Sequence, residues 1–258
     1  MYNMDMSNKN TQKIEKIIEF IESTWAKQSM QYAVIAVSGG VDSAVSLSLL
    51  ARSLPKENIF PVLLPYGRQN MEDAKTICVW NSIPQQNWVE INIKKVVDTI
   101  CSQNKIPIRD RVRRGNVMAR VRMIFVYDLA KAKNALVCGT ENKSEHFLGY
   151  FTRFGDAASD VEPISTLYKT QVRELARELG IPQQILTKHP SAGLWHDQTD
   201  EEDLGFTYEQ ADQVLVELID KKKKGDSIVI EGISPKVVQQ IATRVQSNRF
   251  KHEVPYTI

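Results

Sequence analysis

Apolar and polar positions follow two rhythms along this chain. Ile14, Ile17, Ile18, Ile21 and Trp25 recur at intervals of three and four, which predicts an amphipathic helix over about residues 11–27. Ala33-Val34-Ile35-Ala36-Val37 is instead a short apolar run, a strand, and leads directly into Ser38-Gly39-Gly40-Val41-Asp42-Ser43 and an alanine- and leucine-rich helix over 42–53. Residues 58–65 read as a second strand. Asn70 is placed to cap the next helix, with Glu72 and Asp73 in its first turn, before residues 88–93 alternate as a third strand. A long helix over 116–133, with Val117, Val121, Ile124, Phe125 and Leu129 on one side, precedes a fourth, buried strand over 135–140. Strands and helices in alternation predict an α/β fold, an open parallel sheet flanked by helices. Helices then dominate: 169–179, stopped by Gly180 and Pro182; 207–221, opened by Thr-x-x-Gln; and 234–247, opened by Ser-Pro. The expected organisation is one domain over 1–258, with a mainly helical C-terminal extension from about 205.

Composition adds mostly exclusions. With 258 residues, 42% hydrophobic and 25% charged, the chain is long enough for one large domain with a full core. Lys plus Arg (33) nearly balance Asp plus Glu (31), so the +2 charge gives no global field for nucleic acid or an acidic membrane. The lysines at 221–224 read as a solvated helix end. A polar N-terminus and the lack of any apolar run near the about 20 residues of a membrane span predict a cytoplasmic protein. Cys78, Cys101 and Cys138 are widely spaced in apolar contexts, as buried reduced thiols would be, and the four histidines form no metal or triad pattern.

The chemistry gathers at the loop after the first strand. Two glycines allow a sharp turn and close approach to an anion, the following helix directs free N–H groups at it, and Ser38 and Ser43 add hydroxyl donors. Ala36, Val37, Ser38, Gly39, Gly40, Val41, Asp42 and Ser43 are therefore read as part of a nucleotide-phosphate cradle on a Rossmann-like sheet, which the family resemblance given below assigns to ATP. Asp42 beside a phosphate implies an intervening Mg²⁺. The lysine of the Gly-x-x-x-x-Gly-Lys-Ser/Thr loop is absent, so chemistry elsewhere on the triphosphate is expected. In such sheets ligands lie at the carboxyl ends of strands where the strand order reverses, so Thr140 and its loop should face Ser38.

Ser-Gly-Gly-x-Asp-Ser after a strand resembles the signature of the ATP pyrophosphatases. On this loop alone, tRNA-thiolating enzymes, the synthetase part of GMP synthetase and a silent nucleotide-binding module remain open. A thiolating enzyme would require motif-placed cysteines and a basic RNA-binding face.

Further motifs narrow the choice: residues 115–123 (GNVMARVRM), 139–145 (GTENKSE), 149–156 (GYFTRFGD), 163–170 (PISTLYKT) and 190–195 (PSAGLW). Together, over about residues 11–255, they resemble the ammonia-dependent NAD synthetases. These convert deamido-NAD to NAD: the nicotinate carboxylate attacks the α-phosphorus of ATP, pyrophosphate leaves, and ammonia displaces AMP. The resemblance implies that Asp42 and Glu145 hold Mg²⁺, and that Thr140, Lys169 and Ser191 complete the ATP site. Lys169 would also serve catalysis as a charge on the departing pyrophosphate. Arg120, Arg153, Asp160, Phe250 and Lys251 match deamido-NAD positions, and Asp156 would steer or deprotonate ammonium. A homodimer is implied. So is free ammonia as nitrogen donor, the residues before the first strand being too few for a glutamine-hydrolysing module.

Some positions depart from the family pattern. Lys251-His252 stands where Lys-Arg is common, which would make anion binding there weaker or pH-dependent. Residues 66–71 and Val161-Glu162 are also less typical. The acidic segment 194–204 is expected to form a lid that excludes water from the adenylate, with Thr199 and Glu202 as a capping box.

Overall fold

The computed structural model describes residues 2–191, 193–195, 198–253 and 255–256, with side chains from residue 9 onward. Four parallel strands make the sheet: β1 (Tyr32–Ala36), β2 (Ile59–Leu63), β3 (Val89–Glu90) and β4 (Ala135–Cys138), in the order β3-β2-β1-β4. The chain moves outward from β1 to β3 and then returns to the other side of β1. The strand order thus reverses between β1 and β4, as the phosphate-loop argument requires. The third strand is shorter than the alternation predicts. Beyond Glu90, Ile91 and Ile93 still donate to the carbonyls of Leu63 and Pro65, so the segment follows the edge without continuing the ladder.

Helices cover both faces. The first, α1 (Tyr2–Lys27), begins before the predicted residue 11 and buries Ile14, Ile17, Ile21 and Trp25, the stripe read from the sequence. It packs with α2 (Val41–Ser53) on one face. The next helices are α3 (Glu72–Trp80), α4 (Lys94–Gln103) and α5 (Arg111–Lys133). Helix α5 starts before residue 116 because Asp110 accepts from the Arg113 amide, an N-cap the apolar pattern does not show. It ends at Asn134 in the left-handed conformation (φ 51°).

After β4 come α6 (Lys143–Leu148), α7 (Lys169–Glu178), α8 (Gln183–Leu186) and α9 (Asp200–Leu204). The last two are α10 (Tyr208–Leu215) and α11 (Pro235–Asn248). Thr207 and Gln210 form the predicted reciprocal capping box of α10, whereas at α9 Thr199 accepts from the Glu202 amide. The helix predicted to run to 221 changes to π-helix over Val216–Asp220. The lysines that follow are partly paired, Lys221 and Lys223 with Glu217.

Separate apolar clusters lie on the two faces of the sheet. A third, with Leu148, Phe206, Tyr208, Val214 and Ile241, joins α6 to α10 and α11. This third cluster fixes the C-terminal helices against α6 and the start of α7. The three cysteines are free and buried. Among the described residues no helix is long and apolar enough to cross a membrane.

Candidate active site

The loop after β1 is built by two unlike glycines. Gly39 has φ +84°, and a Cβ there would stand 2.8 Å from the Ala74 amide at the start of α3, so both conformation and space demand glycine. Gly40 has ordinary backbone angles, and the nearest atom to an added Cβ is Ser38 Oγ at 3.5 Å. Ser38 accepts from the Gly40 amide, and Ser43 donates to the Gly40 carbonyl, with the two hydroxyls 3.3 Å apart. No side chain caps α2, so its first amides face the cleft at the strand ends.

The loop after β4 meets this cradle. Asn142 donates to Asp42 Oδ1 at 2.9 Å and also caps α6 by accepting from the Glu145 amide. At the centre lies Lys169, the first residue of α7, 2% exposed. Its ammonium stands 2.6 Å from Asp42 Oδ2 and 2.7 Å from Glu145 Oε1. Tyr208 of α10 adds its ring at 5.0 Å from the ammonium. Its hydroxyl donates to Asp200 Oδ2 at 3.1 Å and lies 3.4 Å from Glu145 Oε1. Asp42 and Glu145 thus share the Lys169 ammonium, with Asp200 adding negative charge nearby, in a site withdrawn from water. Burial, opposed by Lys169 and reinforced by Asp42, raises the Glu145 carboxyl, and burial likewise raises Asp200. Asp42 and Glu145 overcome desolvation to hold the Lys169 ammonium well above its usual range.

This excess of negative charge fits a divalent cation. Asp42 and Glu145 are hard oxygen donors on one wall of the cleft, and Lys169 now sits between them as a monovalent stand-in. Among the described residues no group of three or more His, Cys, Asp or Glu could chelate a metal unaided. Phosphate oxygens and water would have to complete the shell, which suits a metal that arrives with a nucleotide.

Lys169 is held through its backbone. Its amide donates to Ser144 Oγ at 2.8 Å, Ser144 donates to Asp212, and Asp212 also accepts from the Thr170 amide at 2.9 Å. Asp212 of α10, buried, thereby serves α7 as an N-terminal acceptor supplied from another helix.

A second group of predicted residues lies on the rim. Arg120 donates to the Arg153 carbonyl, and Arg153 donates to the Phe250 carbonyl with its guanidinium 5.6 and 5.5 Å from the rings of Phe154 and Phe250. Lys251 donates to the carbonyls of Gly149 and Phe151, and burial lowers its pKa. Asp156 accepts from the Thr152 amide at 2.8 Å, with its carboxyl pushed up by desolvation. Asp160 accepts from the Val137 amide at 2.7 Å and so fastens its loop to β4. Ser191 is exposed and accepts from the Gly193 amide. Of the predicted lid, His196 and Asp197 lie outside the described residues, as does Ala192 of the motif before it. The flanks are pinned by the Asp200 amide on the Pro190 carbonyl and by Leu194 on Gln198.

Sequence reading missed Asn142, Asp200, Tyr208 and Asp212. Asp200 sits in a run of acids where nothing marks one as buried, and Tyr208 reads as ordinary core. The signal that could have found Asn142 was its cap position between Thr140 and Glu145.

The chain matches the family model described as NAD synthase over residues 13–255. It is 40% identical to an NH(3)-dependent NAD(+) synthetase of Thermococcus sibiricus over 244 residues, 94% of each chain. Against that of Chlorobium phaeovibrioides it is 42% identical over 250 residues, 95% of this chain and 88% of the relative. Among solved structures, an NMN synthetase from Francisella tularensis superposes with TM-score 0.83 at 32% identity, covering 96% of this chain and 98% of that one. An NH3-dependent NAD synthetase from Campylobacter jejuni, solved with a nitrate ion, gives 0.80 at 30% identity with the same coverage.

Proposed function

The chain belongs to the NAD synthase family, and from that premise we propose that it amidates deamido-NAD to NAD with ammonia and ATP, through an NAD-adenylate, releasing AMP and pyrophosphate. The observation that carries this reading is the buried Lys169 ammonium between Asp42 and Glu145 at the β1/β4 switch point. A carboxylate is a poor acyl donor, because its leaving group would be oxide. Adenylation replaces that leaving group with AMP.

In this reading residues 36–43, Thr140 and Ser191 bind ATP, and the free amides of α2 receive its phosphates. Asp42 and Glu145 hold Mg²⁺, which when bound neutralises phosphate charge. Lys169, displaced from its two carboxylates, takes a phosphate oxygen and stabilises the charge that grows on departing pyrophosphate. Asn142 keeps Asp42 turned toward the cleft. Arg120, Arg153, Asp160, Phe250 and Lys251 form the deamido-NAD site; on the cations, backbone carbonyls orient the heads without cancelling their charge. Asp156, an exposed residue of the rim whose carboxyl is raised by desolvation, steers ammonium and accepts its proton before attack. The homodimer that the family resemblance implies is part of this reading.

The test supplies ATP, Mg²⁺ and deamido-NAD to the purified protein, with ammonium or glutamine in parallel, and measures pyrophosphate and NAD. NAD with ammonium, lost in Asp42→Ala, is the expected result. The mononucleotide of nicotinic acid belongs in a third arm, given the likeness to an NMN synthetase. Preference for it over deamido-NAD would move the substrate assignment.

A further inference from the structure

Arg122 takes no part in the chemistry above, although it belongs to the motif at 115–123 and lies close to Arg120 along α5. Their spacing turns one side chain about 200° from the other, so the two arginines leave the helix on opposite sides. Arg120 reaches the rim. The Arg122 guanidinium reaches the carboxyl end of the sheet, where Nε donates to the carbonyl of Leu64, just beyond β2, at 3.2 Å, and Nη2 donates to Gln69 Oε1 at 3.0 Å. That loop borders the cradle, since it runs into α3, whose start is pressed against Gly39. Gln69 in turn donates to the Gly193 carbonyl at 3.4 Å, in the segment that carries Ser191. Arg122 therefore adjoins two ATP loops, and the acid whose charge acts on it is Asp156.

Both acceptors of Arg122 are neutral, and among the described residues no carboxylate forms an ion pair with it. Its Nη1 edge has no protein acceptor there. Desolvation, opposed by Asp156, lowers its pKa, as a cation held without a counterion requires; a bound anion would offset that cost.

We propose that Arg122 is a catalytic residue, an oxyanion site that takes the α-phosphate of ATP and keeps hold of it in the adenylate and in AMP. In the first step the nicotinate carboxylate, an anion, attacks a phosphorus that carries negative oxygens, and a guanidinium on those oxygens lowers the repulsion. The carboxylate gives up its charge on adenylation, so a cation retained through both steps suits the phosphate. In the second step the ammonia nitrogen bonds to the acyl carbon, and the carbon–oxygen bond to phosphate breaks with its electron pair left on AMP. The proton that the nitrogen loses goes to Asp156. Lys169 meets the charge that grows on pyrophosphate; the later charge grows on the AMP phosphate, where Arg122 meets it.

The test compares AMP with adenosine, which differ only in the phosphate. By calorimetry wild type should bind AMP at least about tenfold more tightly than adenosine, and Arg122→Gln should bind the two within about twofold of each other, with adenosine affinity unchanged. An AMP preference that survives in Arg122→Gln overturns the site. A crystal of the wild-type protein with AMP depends on no variant's folding: the phosphate should lie within hydrogen-bond distance of the guanidinium, and a phosphate seated on residues 38–43 instead overturns the proposal. The kinetic arm rests on the amidation reading. In a single turnover with ATP, deamido-NAD and ammonium, Arg122→Gln should release pyrophosphate about tenfold more slowly and form NAD about 100-fold more slowly. Equal slowing of the two would overturn its part in the second step. An AMP preference carried by Arg122 in a protein that makes no NAD sustains the site and overturns the substrate reading.

Discussion

The Lys169 centre and the Arg153 rim both present cations to a cleft, but they hold them in opposite ways. Lys169 is fully buried between carboxylates, and its charge is spoken for. Arg120, Arg153 and Lys251 rest on backbone carbonyls, dipoles that orient a cation without neutralising it. The first arrangement makes a preformed centre whose charge is released when a metal takes its partners. The second leaves standing positive charge near solvent, suited to the phosphates of a dinucleotide. Burial with compensation sets up chemistry; exposure without compensation sets up binding.

Substitution at the centre should have the largest effect. Lys169→Met removes the cation that stands between Asp42 and Glu145. Pyrophosphate release in a single turnover should fall about 1,000-fold, and urea unfolding should show a loss of about 3 kcal/mol from the orphaned charges. Release within tenfold of wild type would separate the buried cluster from adenylation and break the contrast drawn above.

The two regions were also unequally legible in the sequence. The parallel strands and the cradle at 38–43 follow from local pattern, because strand, glycine turn and helix are contiguous there. Lys169 stands 127 residues from Asp42, and only several motifs in order brought them together. Asp200 and Tyr208 could not be read at all, since burial of one acid in an acidic run is decided by where α9 packs. At the rim Arg153 was legible, but its seat on the Phe250 carbonyl was not, because backbone carbonyls have no sequence signature. The unexpected early starts of α1 and α5 have the same origin: caps and propensity act where the apolar stripe is silent.

One layer out from the centre, Asp212→Ala leaves the Thr170 amide and the Ser144 hydroxyl without their acceptor. Stability should drop by about 2 kcal/mol in urea unfolding, with kcat falling while the KM for ATP holds, since Lys169 loses its orientation and the cradle does not. A drop in stability with unchanged kcat would limit Asp212 to folding. At the rim, Arg153→Ala should raise the KM for deamido-NAD about tenfold, near 1.4 kcal/mol, and move stability by less than about 0.5 kcal/mol. An equal fall in kcat would mean that Arg153 acts in the transition state and that the rim belongs with the centre.

The smallest effect is expected at His252, where the rim is fastened. Its Nε2 donates to the His146 carbonyl at 2.7 Å, and the two rings stack at 4.3 Å. Burial lowers its pKa below the ordinary 6.5, helped by His146 and Lys251 and opposed by the carbonyl. The folded protein therefore prefers the neutral ring. Its contribution is fully present above pH 6.5 and is lost as pH falls through the lower folded value. His252→Gln keeps an N–H for the carbonyl and cannot titrate. Between pH 7.5 and 5 the wild-type Tm should fall further than that of His252→Gln, by a few degrees at most because the ring is half-exposed and screened. The KM for deamido-NAD should rise over the same interval in wild type alone, since the turn from Arg249 to Lys251 carries the rim cations. A falling Tm with a level KM would mean that the rim is held by Arg153 and Phe250 without help from this histidine.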